Sequence, residues 1–117
     1  METPEIDIPE IDVDTLADIL DRSTSHGATV RLVDVRESDE FDEARVPGAS
    51  SVPLATVPDN LAAFEGEGTT YVICQAGGRS LRACEFVAAQ GVADVVNVAG
   101  GTGAWIRSGR PTAGGSR

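Results

Sequence analysis

An α/β fold is predicted, with a parallel sheet covered by helices on both faces, and three observations point to it. Candidate strands alternate with candidate helices along the whole chain. The runs "TTYVIC" (69–74) and "ADVVNVAG" (93–100) are almost continuously apolar, as strands buried on both faces are. The 117 residues suit one domain, the usual prior being roughly 100–200 residues each. A domain of this size buries about two-thirds of its unfolded-chain surface, so it can hold a core without staples.

The elements follow in order. "PEIDVDTLADIL" reads as a short extended lead-in and then a helix. Asp14 is its expected N-cap, and Leu16, Ile19 and Leu20 form a one-sided apolar stripe. "SHGAT" breaks the chain, and the valine-rich "VRLVDV" (30–35) is a strand. "SDEFDEA" is one short helical turn capped by Ser38, with Asp39 and Glu40 placed for the helix dipole. "VPGA" is a turn, and "SSVPL" is a short strand whose Pro53 marks an edge or an end. "VPDNLAAF" is a short helix with Pro58 near its start. After the strand "TTYVIC", "RSLRACEFVAAQG" is a helix that stops at Gly91, with Leu81, Cys84, Val87 and Ala88 on one face. "ADVVNVAG" is a strand, "GTGAWIRSG" a short helix, and "RPTAGGSR" a frayed tail. There is no internal repeat and no linker long enough to divide the chain.

Composition narrows the function. Hydrophobic residues make up 41%, as in a folded soluble domain. The formal charge is −10, which repels nucleic acid and anionic membrane, so neither is an expected partner. All nine positive charges are arginines. The start "METPEIDIPEID" lacks the basic and apolar regions of a secretory signal, and no run approaches the ~18 apolar residues of a membrane span. A cytoplasmic location with free thiols is expected. Of the two cysteines, one ends a strand and the other lies within the next helix, which argues against a disulfide. One histidine and two cysteines without ligand spacing make no metal site, and His26 lies in a polar loop as a surface residue.

The chemistry concentrates in "YVICQAGGRSLRACEFV" (71–87). In an open α/β sheet, ligands bind beyond the carboxyl ends of the strands, and Cys74 stands at such an end. The glycine-rich "QAGGR" that follows lets successive backbone N–H groups turn inward into a concave anion-binding nest. The helix starting near Arg79 and Ser80 points its positive end at the same spot, and Arg79 adds a full charge. Both favour thiolate over thiol. A plain alternative is that Cys74 is a small hydrophobe closing a strand; the nest and Arg79 are superfluous to it. Cys84 reads the other way, as core packing beside Val87 and Ala88.

Four segments in order now resemble one family, the single-domain rhodaneses, which are persulfide-forming sulfurtransferases. They are "LVDVRESDEF", "EARVPGASSVPL", "CQAGGRS" and "VAGGTGAW", and the likeness runs from about Ile11 to Pro111. The resemblance implies a central, mostly parallel five-stranded sheet with helices on both faces. It places the domain at 8–113, with tails at 1–7 and 114–117. It implies that Cys74 takes the sulfane sulfur of a donor and carries it as a persulfide. The backbone of Gln75, Ala76, Gly77, Gly78 and Arg79 would hold the anionic sulfur. Arg79 and Arg36 would attract anionic donors such as thiosulfate or a persulfide, and a thiol, cyanide or a protein would accept the sulfur. Asp34 would fix the strand end and Trp105 would pack under the loop that closes the site; capping and core packing alone also account for both residues. No cofactor and no metal are implied.

Two departures stand out. Many of these enzymes carry an arginine directly after the cysteine, and here it is Gln75. One charge is thereby missing from the mouth, on a scale of a few kcal/mol for a desolvated pair. Arg45 stands where the family usually shows histidine, either beside the pocket in partial compensation or as a solvated surface residue. Loop length separates the related phosphatases and arsenate reductases. Those have five residues between cysteine and arginine; Cys74 and Arg79 enclose four, a cradle suited to one sulfur atom. The second expectation, from a different class, is a rhodanese-like binding or sulfur-relay module with little turnover of its own; a small phosphatase or arsenate reductase is the third, and loop length argues against it.

Overall fold

A computed structural model describes residues 7–27 and 29–115. Five strands form one sheet: β1 (Glu10–Ile11), β2 (Arg31–Asp34), β3 (Ser50–Ser51), β4 (Thr70–Ile73) and β5 (Val95–Val98). Their order is β1-β5-β4-β2-β3, and every pairing is parallel. The central strand β4 sets Val72 opposite Val33 of β2 on one side and Asn97 of β5 on the other. The two edges, β1 and β3, are two residues long each, which leaves little unpaired backbone. Pro53 lies two residues past the end of β3, where its missing N–H costs no ladder bond.

The helices are α1 (Val13–Ser25), α2 (Ser38–Glu43), α3 (Gly78–Ala89) and α4 (Gly101–Arg107). Side chains alternate across the strands, so the core has two layers. On one face Val33, Val72 and Val95 pack with Ala83, Cys84 and Val87 of α3 and with Val57 and Phe64. On the other, Leu32, Ile73 and Val98 pack with Val13 and Leu16 of α1 and Trp105 of α4. Burial of these side chains supplies the main driving force, about 1.5–3 kcal/mol for each large one.

Local chemistry shifts several boundaries from the sequence expectation. The N-cap of α1 is Asp12, not Asp14: its carboxylate accepts the Thr15 N–H at 2.9 Å. Asp14 lies inside the first turn and pairs with Arg110. The cap of α2 is Glu37 rather than Ser38, and its own N–H donates to Glu40 Oε1 at 2.9 Å, the return arm of a capping box. "VPDNLAAF" splits into two 3₁₀ turns, Leu54–Asp59 and Leu61–Phe64, because Pro58 sits inside the first and cannot donate to an α-helical ladder. In α3 the buried positions are Ser80, Ala83, Cys84 and Val87, while Leu81 is only half-buried. The helix is thus turned so that Ser80 faces inward beneath the tip of β4.

The expected frayed tail is a strap over residues 110–115. Trp105 Nε1 donates to the Pro111 carbonyl at 2.8 Å. Arg45 and Ala113 exchange both backbone hydrogen bonds, and Gly115 N–H reaches Asp42 O at 2.9 Å. The strap ties α4 to the end of α2. Among the described residues, no helix is long and apolar enough to cross a membrane.

Candidate active site

Cys74 follows β4 directly, at the carboxyl end of the central strand, and the chain must then turn back into α3. Gly77 makes that turn at φ +112°, a left-handed conformation that glycine adopts without penalty. The turn folds the loop over the sulfur. Gly77 N–H donates to Cys74 Sγ at 3.1 Å, and Ser80 Oγ lies 3.3 Å from it. Burial raises the thiol pKa, for Cys74 is only 1% exposed. The Ser80 hydroxyl and the N–H groups of Ser80, Gly77 and Ala76 outweigh that effect, and the net pKa lies below the ordinary value. The site therefore favours the thiolate form of Cys74.

The loop is held from behind by α4. Thr102 and Gly103 donate their N–H groups to the carbonyls of Cys74 (2.8 Å) and Gln75 (2.9 Å). These bonds turn the carbonyls away from the sulfur and leave the N–H side of the loop facing it. Gly101 is obligatory at this approach: a Cβ there would stand 2.3 Å from the Cys74 carbonyl oxygen, at φ +59°. From β5, the buried Asn97 donates to Gly77 O at 3.2 Å and to Glu10 at 2.8 Å.

The expected arginines are at the site, but each is engaged. Arg36 is buried against Asp34, whose carboxylate takes the Arg36 backbone N–H, Nε and Nη2 at 2.9–3.1 Å. It also donates to the Ala44 carbonyl at 2.7 Å and makes a longer 3.4 Å contact with Gln75 Oε1. Asp34 thus fixes the strand end through Arg36. Arg79 lies over α2, where its two Nη atoms grip the Glu40 carboxylate at 2.9 and 3.1 Å. This bidentate pair holds the Glu40 pKa down at about 2. Arg79 and the Cys74 sulfur do attract one another, yet the hydrogen bonds on the sulfur come from Gly77 and Ser80.

Arg45 points away from this cluster. Its guanidinium covers the Phe41 ring at 4.6 Å and donates to Phe41 O, while its backbone carries the strap. It does not supply the charge that Gln75 omits. Trp105 packs in the α1–α4 core, with its indole N–H on the strap. Gly78 and Arg79 open α3. Cys84 is fully buried, and burial pushes its thiol up to about 12, with Glu85, Glu10 and Cys74 adding to the rise. His26 caps α1 and bonds the Arg22 carbonyl.

Sequence reasoning missed Ser80, Glu40, Asn97 and the N–H groups of Thr102 and Gly103. Ser80 had a signal: a hydroxyl in the first turn of the helix at whose positive end the cysteine lies. Glu40 had a weaker one, since the loop after β2 ends at the same edge of the sheet as Cys74. The partners of Asn97 and α4 depend on chain crossovers and left no local mark.

The chain is a parallel α/β domain with a hydrogen-bonded cysteine, its thiol pKa lowered, at the tip of its central strand. The chain belongs to the rhodanese-like domain family, whose model matches residues 12–108. It is similar to a sulfurtransferase of Allochromatium vinosum, at 31% identity over 89% of this chain and 94% of that one. It is 32% identical to the putative sulfur carrier protein YrkF of Bacillus subtilis, over 84% of this chain and about half (51%) of that protein's length. Among solved structures it resembles a rhodanese-like domain protein from Staphylococcus aureus, with a TM-score of 0.73 and 35% identity, covering 84% of this chain and 91% of that one.

Proposed function

We propose that this protein is a thiosulfate-type sulfurtransferase that works through a persulfide on Cys74. The observation that carries the reading is the ring of donors on the sulfur, from Gly77 N–H, Ser80 Oγ and the neighbouring backbone. In the first half-reaction the Cys74 thiolate attacks the outer sulfur of thiosulfate. The S–S bond breaks, sulfite leaves with the bonding pair, and Cys74 becomes a persulfide anion. In the second, a thiolate or cyanide attacks the outer sulfur and restores the Cys74 thiolate. One difficult transfer is divided into two easier ones. The cradle serves both steps, since negative charge remains on sulfur at the same place throughout. The domain is taken to span 8–113 and to act in the cytoplasm.

A second reading, a sulfur-relay module with little turnover on free thiosulfate, is favoured by the charge arrangement. Asp34 neutralises Arg36, Glu40 neutralises Arg79, and Gln75 adds no charge. A free dianion gains little attraction from such a mouth. Intact-protein mass after incubation with thiosulfate tests the main reading. The expected result is a gain of one sulfur, about 32 Da, in the wild type but not in Cys74→Ala, reversed by cyanide. No gain from thiosulfate, together with a gain from a small persulfide, transfers the assignment to the relay. No gain from either overturns both.

A further inference from the structure

We infer that the depression beside the Cys74 loop is a docking surface for a polypeptide: a cysteine-bearing segment flanked by basic residues, with an apolar side chain close by. The inference rests on the sulfur-transfer reading and names the class of partner that exchanges sulfur with Cys74. The depression measures about 400 Å³ and is lined by Arg36, Glu40, Glu43, Ala44, Gln75 and Ile106. Its size falls in the range of clefts that hold organic side chains or ligands, about 300–1,000 Å³. Gln75 links it directly to the nucleophile, being the residue after Cys74.

Its charge selects the partner. The two lining or adjoining arginines are spent internally, Arg36 on Asp34 and Arg79 on Glu40. Glu43 remains on the rim, with Asp39, Asp42 and Glu37 exposed on and just before the same helix. The α2 side is thus acidic, and Arg107 provides a positive charge only on α4, where its Nη1 lies near Gly103. A second copy of this chain, at −10, is repelled. The other half of the recognition is Ile106, 46% exposed and part of the lining itself. An exposed isoleucine next to a reactive loop, rimmed by carboxylates, matches an apolar anchor surrounded by basic groups. On this surface the exchange balances without further reagents. The partner's cysteine thiolate attacks the outer sulfur of the Cys74 persulfide, the S–S bond breaks, and Cys74 leaves as thiolate; the reverse direction loads it.

The test uses the full chain and two nonapeptides with a central cysteine and a neighbouring leucine, one flanked by arginines and one by glutamates. Cys74 is first charged with sulfur and the charge confirmed by mass. The rate of discharge by each peptide is then measured. The arginine peptide is expected to react faster, with a preference that shrinks as salt rises past the Debye regime. Glu43→Arg is expected to cut that preference about tenfold. Glu67→Arg makes the same charge change before β4, at the opposite end of the sheet, and is expected to alter it less than about twofold. Ile106→Ala is expected to slow the arginine peptide about threefold or more, and to slow a version with alanine in place of its leucine less. Equal rates for the two peptides, or equal effects of Glu43→Arg and Glu67→Arg, overturn the docking surface. Fluorescence anisotropy with cysteine-to-serine peptides and Cys74→Ser protein reads docking without sulfur transfer. A docking failure is therefore distinguishable from failure of Cys74 to acquire sulfur at all.

Discussion

The two cysteines stand ten positions apart, both shielded from solvent, and the protein shifts their thiol pKa values in opposite directions. Cys74 is 1% exposed and Cys84 0%. Burial raises both thiol pKa values, and for Cys84 nothing opposes it, so the value reaches about 12. For Cys74 the Ser80 hydroxyl and three backbone N–H groups reverse the sign. The difference teaches that thiol acidity here is not a matter of exposure. It depends on which backbone groups the chain leaves pointing at the sulfur: in mid-helix the N–H groups are committed to the ladder, while at a strand-to-helix turn they are available.

The harshest test of this contrast removes each sulfur in turn. Cys74→Ser is expected to abolish sulfur loading, by at least about a thousandfold, whereas Cys84→Ala keeps it. Iodoacetamide on the native protein should label Cys74 well before Cys84; the reverse order in peptide mapping would sink the assignment. Next in size is Gly101→Ala. Its Cβ meets the Cys74 carbonyl at 2.3 Å, so the loop must move. We expect a loss of about 1–3 kcal/mol in denaturant unfolding and a transfer rate about a hundredfold lower.

Ser80→Ala sharpens the comparison by removing one donor and leaving the fold in place. The Cys74 pKa rises toward the ordinary thiol range, and alkylation near neutral pH slows about tenfold, while the rate in strong alkali, where the thiol is fully ionised, changes little. A uniform slowing at all pH values would instead mean a displaced sulfur. Glu40→Gln asks whether Arg79 takes part. The amide keeps the acceptor for the Glu37 N–H but releases the guanidinium, and loading from thiosulfate is expected to rise a few-fold. If alkylation accelerates as much as loading does, the arginine rather than the N–H ring controls the thiolate.

The smallest effect is on stability in alkali. Cys84 has its folded pKa raised from 9.0 to about 12, so the fold holds the proton that the unfolded chain releases. Its contribution is complete below the unfolded value and is lost as pH rises from about 9 toward 12. Cys84→Ala should start less stable, by about 1–2 kcal/mol, yet lose less between those limits when melting is followed against pH. Glu40 acts with the opposite sign: its pKa is depressed to about 2, so its pair with Arg79 supports the fold above the ordinary carboxylate range and fades as pH falls through 4.5 toward 2.

Much of this was legible in the chain because its signals are local. The apolar runs at 69–74 and 93–100 announced buried parallel strands, and Cys74 before "QAGG" announced an anion loop at a strand end. Boundary errors came where two acceptable residues compete, as Asp12 does with Asp14 and Glu37 with Ser38; the winner is decided by where the chain enters the helix. The tail at 110–115 looked unstructured because its partners, Arg45, Asp42 and Trp105, lie far away or on another element.

The sequence by itself determined the fold class, the place of Cys74 at a strand end before a glycine turn and the contrast in setting between the two cysteines, because hydrophobic period, turn glycines and helix position act over a few neighbouring residues. Only the tertiary structure decided how the charges are spent. Asp34 lies two residues from Arg36, but Glu40 and Arg79 are 39 apart, and so are Arg36 and Gln75. Nothing in linear order says that an arginine placed to welcome an anion already holds a carboxylate. That pairing exists because parallel strands bring the loops after β2 and β4 to the same edge of the sheet, where opposite charges a few ångströms apart satisfy one another.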